Sequence, residues 1–393
     1  MRSVSVKSEQ FTESVIRGMT RLCTQYGGIN LAQGFPDFPA PRALKAAAKA
    51  AIDADHNQYA VTWGTSEFRA AIARKMARDN RVNCDPETEV TVTCGATEAM
   101  IATLLAVVNP GDEVVIFEPF YENYGPDTVI SGATPVYVAL PAPHFTFDPA
   151  ELRAACSPRT KAIILNTPHN PSGHVFGRAE LEQLAALCHE FDCLAITDEI
   201  YEYITYDDRP HLSLASLPGM HDRTVTISGL SKTYSVTGWR LAYAVAAAPL
   251  TAAIRKMHDF LTVGAPHPLQ CAGVKALQLP GRYYRQLAAH YAERRAILSE
   301  ALQAGGFRIS VPEGAYYILA DISEFGCNDD VEFCHWLVRE AGVAAVPGSS
   351  FFRHPELGRH LIRFAFCKRE QTLREAGRRL AGVPKLLGRR GPR

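Results

Sequence analysis

Between Glu89 and Ala246 short β-branched, apolar runs recur: VTVTC (90–94), EVVIF (113–117), TPVYV (134–138), KAIIL (161–165), CLAIT (193–197), RTVTI (223–227) and LAYAVA (241–246). Most lack the polar alternation of a strand with one wet face, so they read as strands buried on both faces. Amphipathic helical stretches, such as 97–108 and 178–191, lie between several of them. Strands that alternate with helices form βαβ units, so the expectation is an α/β chain with a mostly parallel sheet of seven strands. Ligands of such open sheets bind at the carboxyl ends of the strands.

The flanks read differently. Helices are expected at 66–79 and 282–304, then short strands within 306–322 and 343–367 separated by a helix at 329–341. That α+β pattern suggests a smaller, discontinuous domain, residues 1–46 with 283–393, beside a large domain of 47–282. The basic, Pro/Gly-rich stretch 384–393 reads as a frayed, solvated tail. Among the 393 residues, 41 are Lys or Arg and 41 are Asp or Glu, so the formal net charge is zero. Bulk charge therefore does not hold this chain to nucleic acid or to an anionic membrane. Apolar runs stop short of a spanning length, and MRSVSVKSEQFTES has no apolar core of an export signal. The ten cysteines are scattered without a CxxC pair. They read as reduced thiols of a cytoplasmic protein, and no metal centre is expected.

ISGLSKTYSVTGWR (227–240) sets Lys232 just after a buried strand, among small and apolar residues, with Ser231 before it and Arg240 beyond. Most lysines are solvated surface groups. A desolvated one has a lowered pKa and can form a Schiff base. A nearby arginine can grip a phosphate through paired hydrogen bonds. Amine and phosphate clamp together are what pyridoxal 5'-phosphate requires. In AITDEIY (195–201) Asp198 lies at another strand end. It is either an ordinary strand-end acid or the partner that keeps a pyridine nitrogen protonated. NTPHNPSG (166–173) is a turn by its local chemistry. TCGATEA (93–99) ends a strand and opens a helix, whose first amides favour an anion. EPFYENY (118–124) offers flat aromatic faces. Arg363 interrupts the apolar strand LIRFAFCK (361–368), so it needs either a structural ion pair or a bound carboxylate.

Taken in their order along the chain, over roughly residues 29–370, these segments resemble the class I and II aminotransferases, the fold-type I pyridoxal-phosphate enzymes. The resemblance implies that Lys232 carries the cofactor as an internal aldimine and that Arg240 binds its phosphate, with the amides of Ala96 and Thr97. It implies Asp198 at the pyridine nitrogen, Tyr201 at the ring phenolate and Tyr121 stacked on the ring. Asn170 would contact the phenolate and the substrate carboxylate. Gly34, in INLAQGFPDFP (29–39), and Arg363 would hold that carboxylate too. Family enzymes are homodimers, so Tyr59 of NQYAVTWG (57–64) would reach the neighbouring site. Three positions depart from the pattern: Ser172 for a usual Thr, Ala32 for a common Gly, and Gly229 where many relatives carry a phosphate-binding Ser or Thr. Ser231, or else Ser228, would compensate for the last.

The implied activity moves an amino group from an L-amino acid to a 2-oxo acid, Lys232 carrying the proton from Cα. RFAFCKREQTL and NQY are similar to kynurenine/glutamine transaminases, methionine aminotransferases and N-succinyldiaminopimelate aminotransferases. No second fixed arginine for a distal carboxylate is identifiable, which favours a neutral donor: aromatic, sulfur-containing or Gln-like. Because a fold does not fix a reaction, β-elimination of cysteine conjugates, cyclase or oxidase chemistry stay as alternatives. A cofactor-sensing regulator would need a helix-turn-helix domain, and the roughly 28 residues before the first motif are too few for one.

Overall fold

A computed structural model describes residues 13–390, together with Ser5, Glu9 and Phe11. Most of the N-terminal stretch read for an export signal, and residues 391–393 of the basic tail, lie outside the described residues. The strands are β1 (Ile29–Asn30), β2 (Val90–Thr93), β3 (Glu113–Glu118), β4 (Thr134–Ala139), β5 (Thr160–Asn166), β6 (Leu194–Asp198), β7 (Thr224–Gly229), β8 (Ala242–Val245), β9 (Arg308–Ser310), β10 (Tyr317–Asp321), β11 (Val343–Ala344), β12 (Val346–Pro347) and β13 (Leu361–Ala365).

Seven of them make one sheet in the order β2-β8-β7-β6-β5-β3-β4. Only β8 runs against its neighbours; the other pairings are parallel. The expected seven-stranded, mostly parallel α/β sheet is therefore present. Every residue of β2, β3, β7 and β8 is buried, while β4, at the sheet edge, is only partly covered. Helices cover both faces, as a parallel sheet requires. For example, Ala96–Val107 packs on Ala248–Thr262, and Arg42–Asp53 on His267–Leu277. Register sets Asn166, at the end of β5, beside Asp198, at the end of β6, and Asp198 beside Ile227 of β7. The lysine loop follows directly. The C-terminal region forms an antiparallel sheet, β12-β13-β10-β9, and β11 pairs in parallel with β1.

Three elements differ from expectation. The helix expected at 66–79 is α-helical over Ser66–Lys75 and then widens into a π turn, Met76–Asn80. The one expected at 329–341 does the same, Asp330–Trp336 followed by Leu337–Ala341. In both, the wider turn keeps buried side chains on the core side up to a left-handed residue that ends the helix, Arg81 or Gly342. The supposed frayed tail is a helix, Val383–Arg390. Val383 is buried and Leu386 and Leu387 pack against the core, a helical spacing that its basic composition conceals. Among the described residues no helix is long and apolar enough to cross a membrane.

Candidate active site

The carboxyl ends of β5, β6 and β7 build the floor of a cavity. Asn166 accepts the Asn170 N–H at 2.7 Å, which locks the NTPHNPSG turn, and donates to the Asp198 carbonyl at 2.8 Å. The Asp198 carboxylate accepts from the Tyr124 hydroxyl at 2.7 Å and from the Ile200 N–H at 3.3 Å. Burial raises its pKa, and those two donors oppose the rise. Beneath the floor, the buried Lys75 ammonium pairs with Glu202 and donates to Asn80, which in turn donates to Glu199 and Glu202. Ser228 also donates to Glu202, at 2.7 Å. This network ties the turn carrying Asp198 and Tyr201 to the helix that ends at Lys75.

Lys232 projects into the cavity from the loop after β7. Its Nζ lies 3.5 Å from the Gly34 carbonyl and 5.6 and 5.7 Å from the ring centroids of Tyr201 and Tyr316. Burial lowers its pKa to about 8, against the attraction of Asp198. At neutral pH about a tenth of the amine is then uncharged, far more than a surface lysine offers, and Schiff-base chemistry draws on that fraction.

One end of the cavity suits a phosphate. Gly95, at φ +90°, begins the helix Ala96–Val107, and a Cβ there would overlap the Arg240 guanidinium. Ala96, Thr97, Ser231, Thr237 and Arg240 line this part of the wall. Ser231 is therefore the serine left facing the cavity, since Ser228 is engaged with Glu202. The departure at Gly229 also has a cause. A Cβ there would overlap Ala242 on the adjacent β8, leaving no room for Ser or Thr.

The other end suits a carboxylate. Arg363, on β13, is 1% exposed. It donates to the Asn170 side-chain oxygen at 2.8 Å and to the Ala32 carbonyl at 2.9 Å. Its guanidinium lies 4.2 Å from the Tyr317 ring centroid and 4.7 Å from that of Phe351. Among the described residues no Asp or Glu pairs with it, and its Nε has no partner. The structural ion pair is thus not the answer to its burial. A buried amine, a carboxylate for a ring nitrogen, a phosphate cradle and a half-satisfied arginine are together the donor set that pyridoxal phosphate and an amino acid require.

Of the predicted residues, Ala96, Thr97, Tyr121, Asn170, Asp198, Tyr201, Ser231, Lys232 and Arg240 line this one cavity. Gly34 and Arg363 adjoin it through Lys232 and Asn170. Tyr59 is not brought there: it is 84% exposed. Asn166, Tyr124, Asp127, Thr237 and Tyr317 also line the cavity and were not foreseen. Asn166 and Tyr124 lie inside segments already singled out, but nothing local marks them. Tyr317 bonds the Tyr201 hydroxyl at 3.0 Å from a different sheet. Asp127 is buried, with one oxygen unpartnered, and burial pushes its pKa up to about 7.

Residues 26–380 match the family model "Aminotransferase class I and II". The methionine aminotransferase of Escherichia coli (strain K12) is 40% identical over 374 residues, 95% of this chain and 97% of that one. Kynurenine–oxoglutarate transaminase 1 of Homo sapiens is 35% identical over 393 residues, 92% and 93% of the two chains. The solved N-succinyldiaminopimelate aminotransferase from Mycobacterium tuberculosis superposes with a TM-score of 0.94 at 40% identity, covering 97% of this chain and all of that one. Likeness over nearly the whole length joins the chemistry of the cavity here, and the chain belongs to the class I and II aminotransferases, pyridoxal-phosphate enzymes that pass an amino group from an amino acid to a 2-oxo acid.

Proposed function

We propose that the amino donor is an L-amino acid with a neutral side chain: aromatic, sulfur-containing or Gln-like. The observation that carries this reading is the disposition of positive charge. Among the described residues lining the cavity the fixed cations are Lys232 and Arg240, and Arg363 adjoins them. One serves as amine, one faces the phosphate end, and one is left for the α-carboxylate. None remains for a distal carboxylate. The aromatic walls supplied by Tyr121, Tyr201 and Tyr317 accord with an apolar or polarisable side chain. So do the methionine and kynurenine named for two relatives.

When bound, the cofactor supplies an electron sink that acidifies the donor's Cα–H. Asp198 would keep the pyridine nitrogen protonated, and Tyr201 would donate to the phenolate oxygen. Tyr121 would cover a ring face. The Ala96 and Thr97 amides, Ser231 and Arg240 would hold the phosphate. Arg363, Asn170 and the Gly34 amide orient the donor carboxylate, which sets the Cα–H bond towards Lys232. The Lys232 amine then takes the proton from Cα.

The assembly in this reading is a homodimer in which Tyr59 of each protomer serves its partner's phosphate site. In this reading the large domain, 47–282, and the discontinuous small one, 1–46 with 283–393, meet within the helices Arg42–Asp53 and Gly281–Ala304. A cytoplasmic location accords with ten cysteines, all free. A steady-state panel of amino donors against pyruvate and 2-oxoglutarate tests the substrate assignment. Aromatic or sulfur-containing donors are expected to exceed aspartate at least about tenfold in kcat/KM. A preference for aspartate would overturn it.

A further inference from the structure

We infer that His56, His267 and Cys271 form a second, metal-binding site, one for a transition-metal dication of the zinc type. None of the three lines the cavity described above. His267 and Cys271 stand four positions apart on the helix His267–Leu277 and so share a face. His56 comes from the turn that closes the helix Arg42–Asp53, where its N–H donates to the Ala51 carbonyl at 3.0 Å. The two helices pack on each other, which brings the three side chains together. Their ligand atoms all lie within 4.8 Å of one another, and the two imidazole centroids are 5.1 Å apart. Zinc bonds of about 2.0–2.3 Å need ligand atoms less than about 4 Å apart, a side-chain rotation away.

The tautomer is favourable. His267 Nδ1 lies 3.1 Å from the Gln58 carbonyl, which can only accept, so Nδ1 carries the proton and Nε2 keeps its lone pair. Metal-ligating histidines are oriented by this kind of second bond. Cys271 is half-buried and free of any disulfide. One sulfur and two imidazoles select zinc or cobalt over calcium or magnesium, which want oxygen, and leave a fourth position for water. Binding displaces the thiol proton into solvent as the metal–sulfur bond forms. It also pins the segment leading to Tyr59 against the neighbouring helix. The scattered cysteines gave no hint of this, because the ligands meet only once the helices pack.

Cobalt(II) titration of the chelator-treated holoenzyme tests the site. One equivalent per chain is expected to give the visible bands of tetrahedral, thiolate-ligated cobalt, and zinc is expected to displace it. Cys271→Ser should abolish the bands. His56→Ala, at an exposed position, should weaken binding by more than the roughly 10–100-fold that loss of a second-shell partner costs. Cys84→Ser should leave binding unchanged. Absence of the bands, or their survival in Cys271→Ser, would overturn the assignment. A second reading is alkylation of Cys271 by iodoacetamide, followed by peptide mass. Zinc is expected to slow it, and an unchanged rate would also count against the site.

Discussion

Lys232 owes its reactivity to where its side chain ends. The same amine on the surface would stay charged to about pH 10; inside this cavity burial brings it to about 8. Only the neutral amine attacks an aldehyde. Cofactor uptake by the apoenzyme should therefore quicken about tenfold per pH unit below 8 and level off above it, as the neutral fraction saturates. Stopped-flow absorbance measures this, and a rate still climbing towards pH 10 contradicts the assignment. Asp198 and Arg363 were legible in the sequence as charges set in or at the end of buried strands, Lys232 as an amine among small and apolar residues just beyond one, and Arg240 through the motif it shares with Lys232. Tyr124 and Asn166 were not. Their meaning is a contact with Asp198, made from positions far away in the chain. Arg363 held two readings until its surroundings were seen, since only the absence of a neighbouring carboxylate separates a ligand site from an ion pair.

At the scale of elements, the strands of the large sheet were legible because burial on both faces leaves an unbroken apolar run. The two π turns and the last helix were not. The first are set by core packing rather than by local preference, and the second hides two packed leucines among basic residues. The junction of β2 with the helix Ala96–Val107 shows how tightly one element serves another. Gly95 adopts a conformation that L side chains resist, and it leaves the space that Arg240 fills. Gly95→Ala should displace the guanidinium and weaken pyridoxal phosphate binding about 10–100-fold, the worth of one charge-assisted contact. Equilibrium dialysis reads this directly, and unchanged affinity would mean that Arg240 does not hold the phosphate.

At the scale of the whole molecule, a net charge of zero coexists with a cavity region that gathers Lys232, Arg240 and Arg363. That concentration is what lets a neutral protein hold a phosphate and a carboxylate together. Tyr59 lies exposed outside it, and hybrid dimers test the proposed reach between protomers. A hybrid of one Tyr59→Ala and one Lys232→Ala subunit should contain one site with wild-type cofactor affinity if Tyr59 acts across the interface. Affinity as low as that of Tyr59→Ala alone would mean that it does not. The chemistry converges on the nitrogen of Lys232, and the nearest rival is Lys368, a buried lysine whose pKa burial also lowers. Borohydride reduction of the holoenzyme, followed by peptide mass mapping, reveals which lysine bears the cofactor. The pyridoxyl group is expected on Lys232; a group fixed on Lys368 or any other lysine would contradict the account.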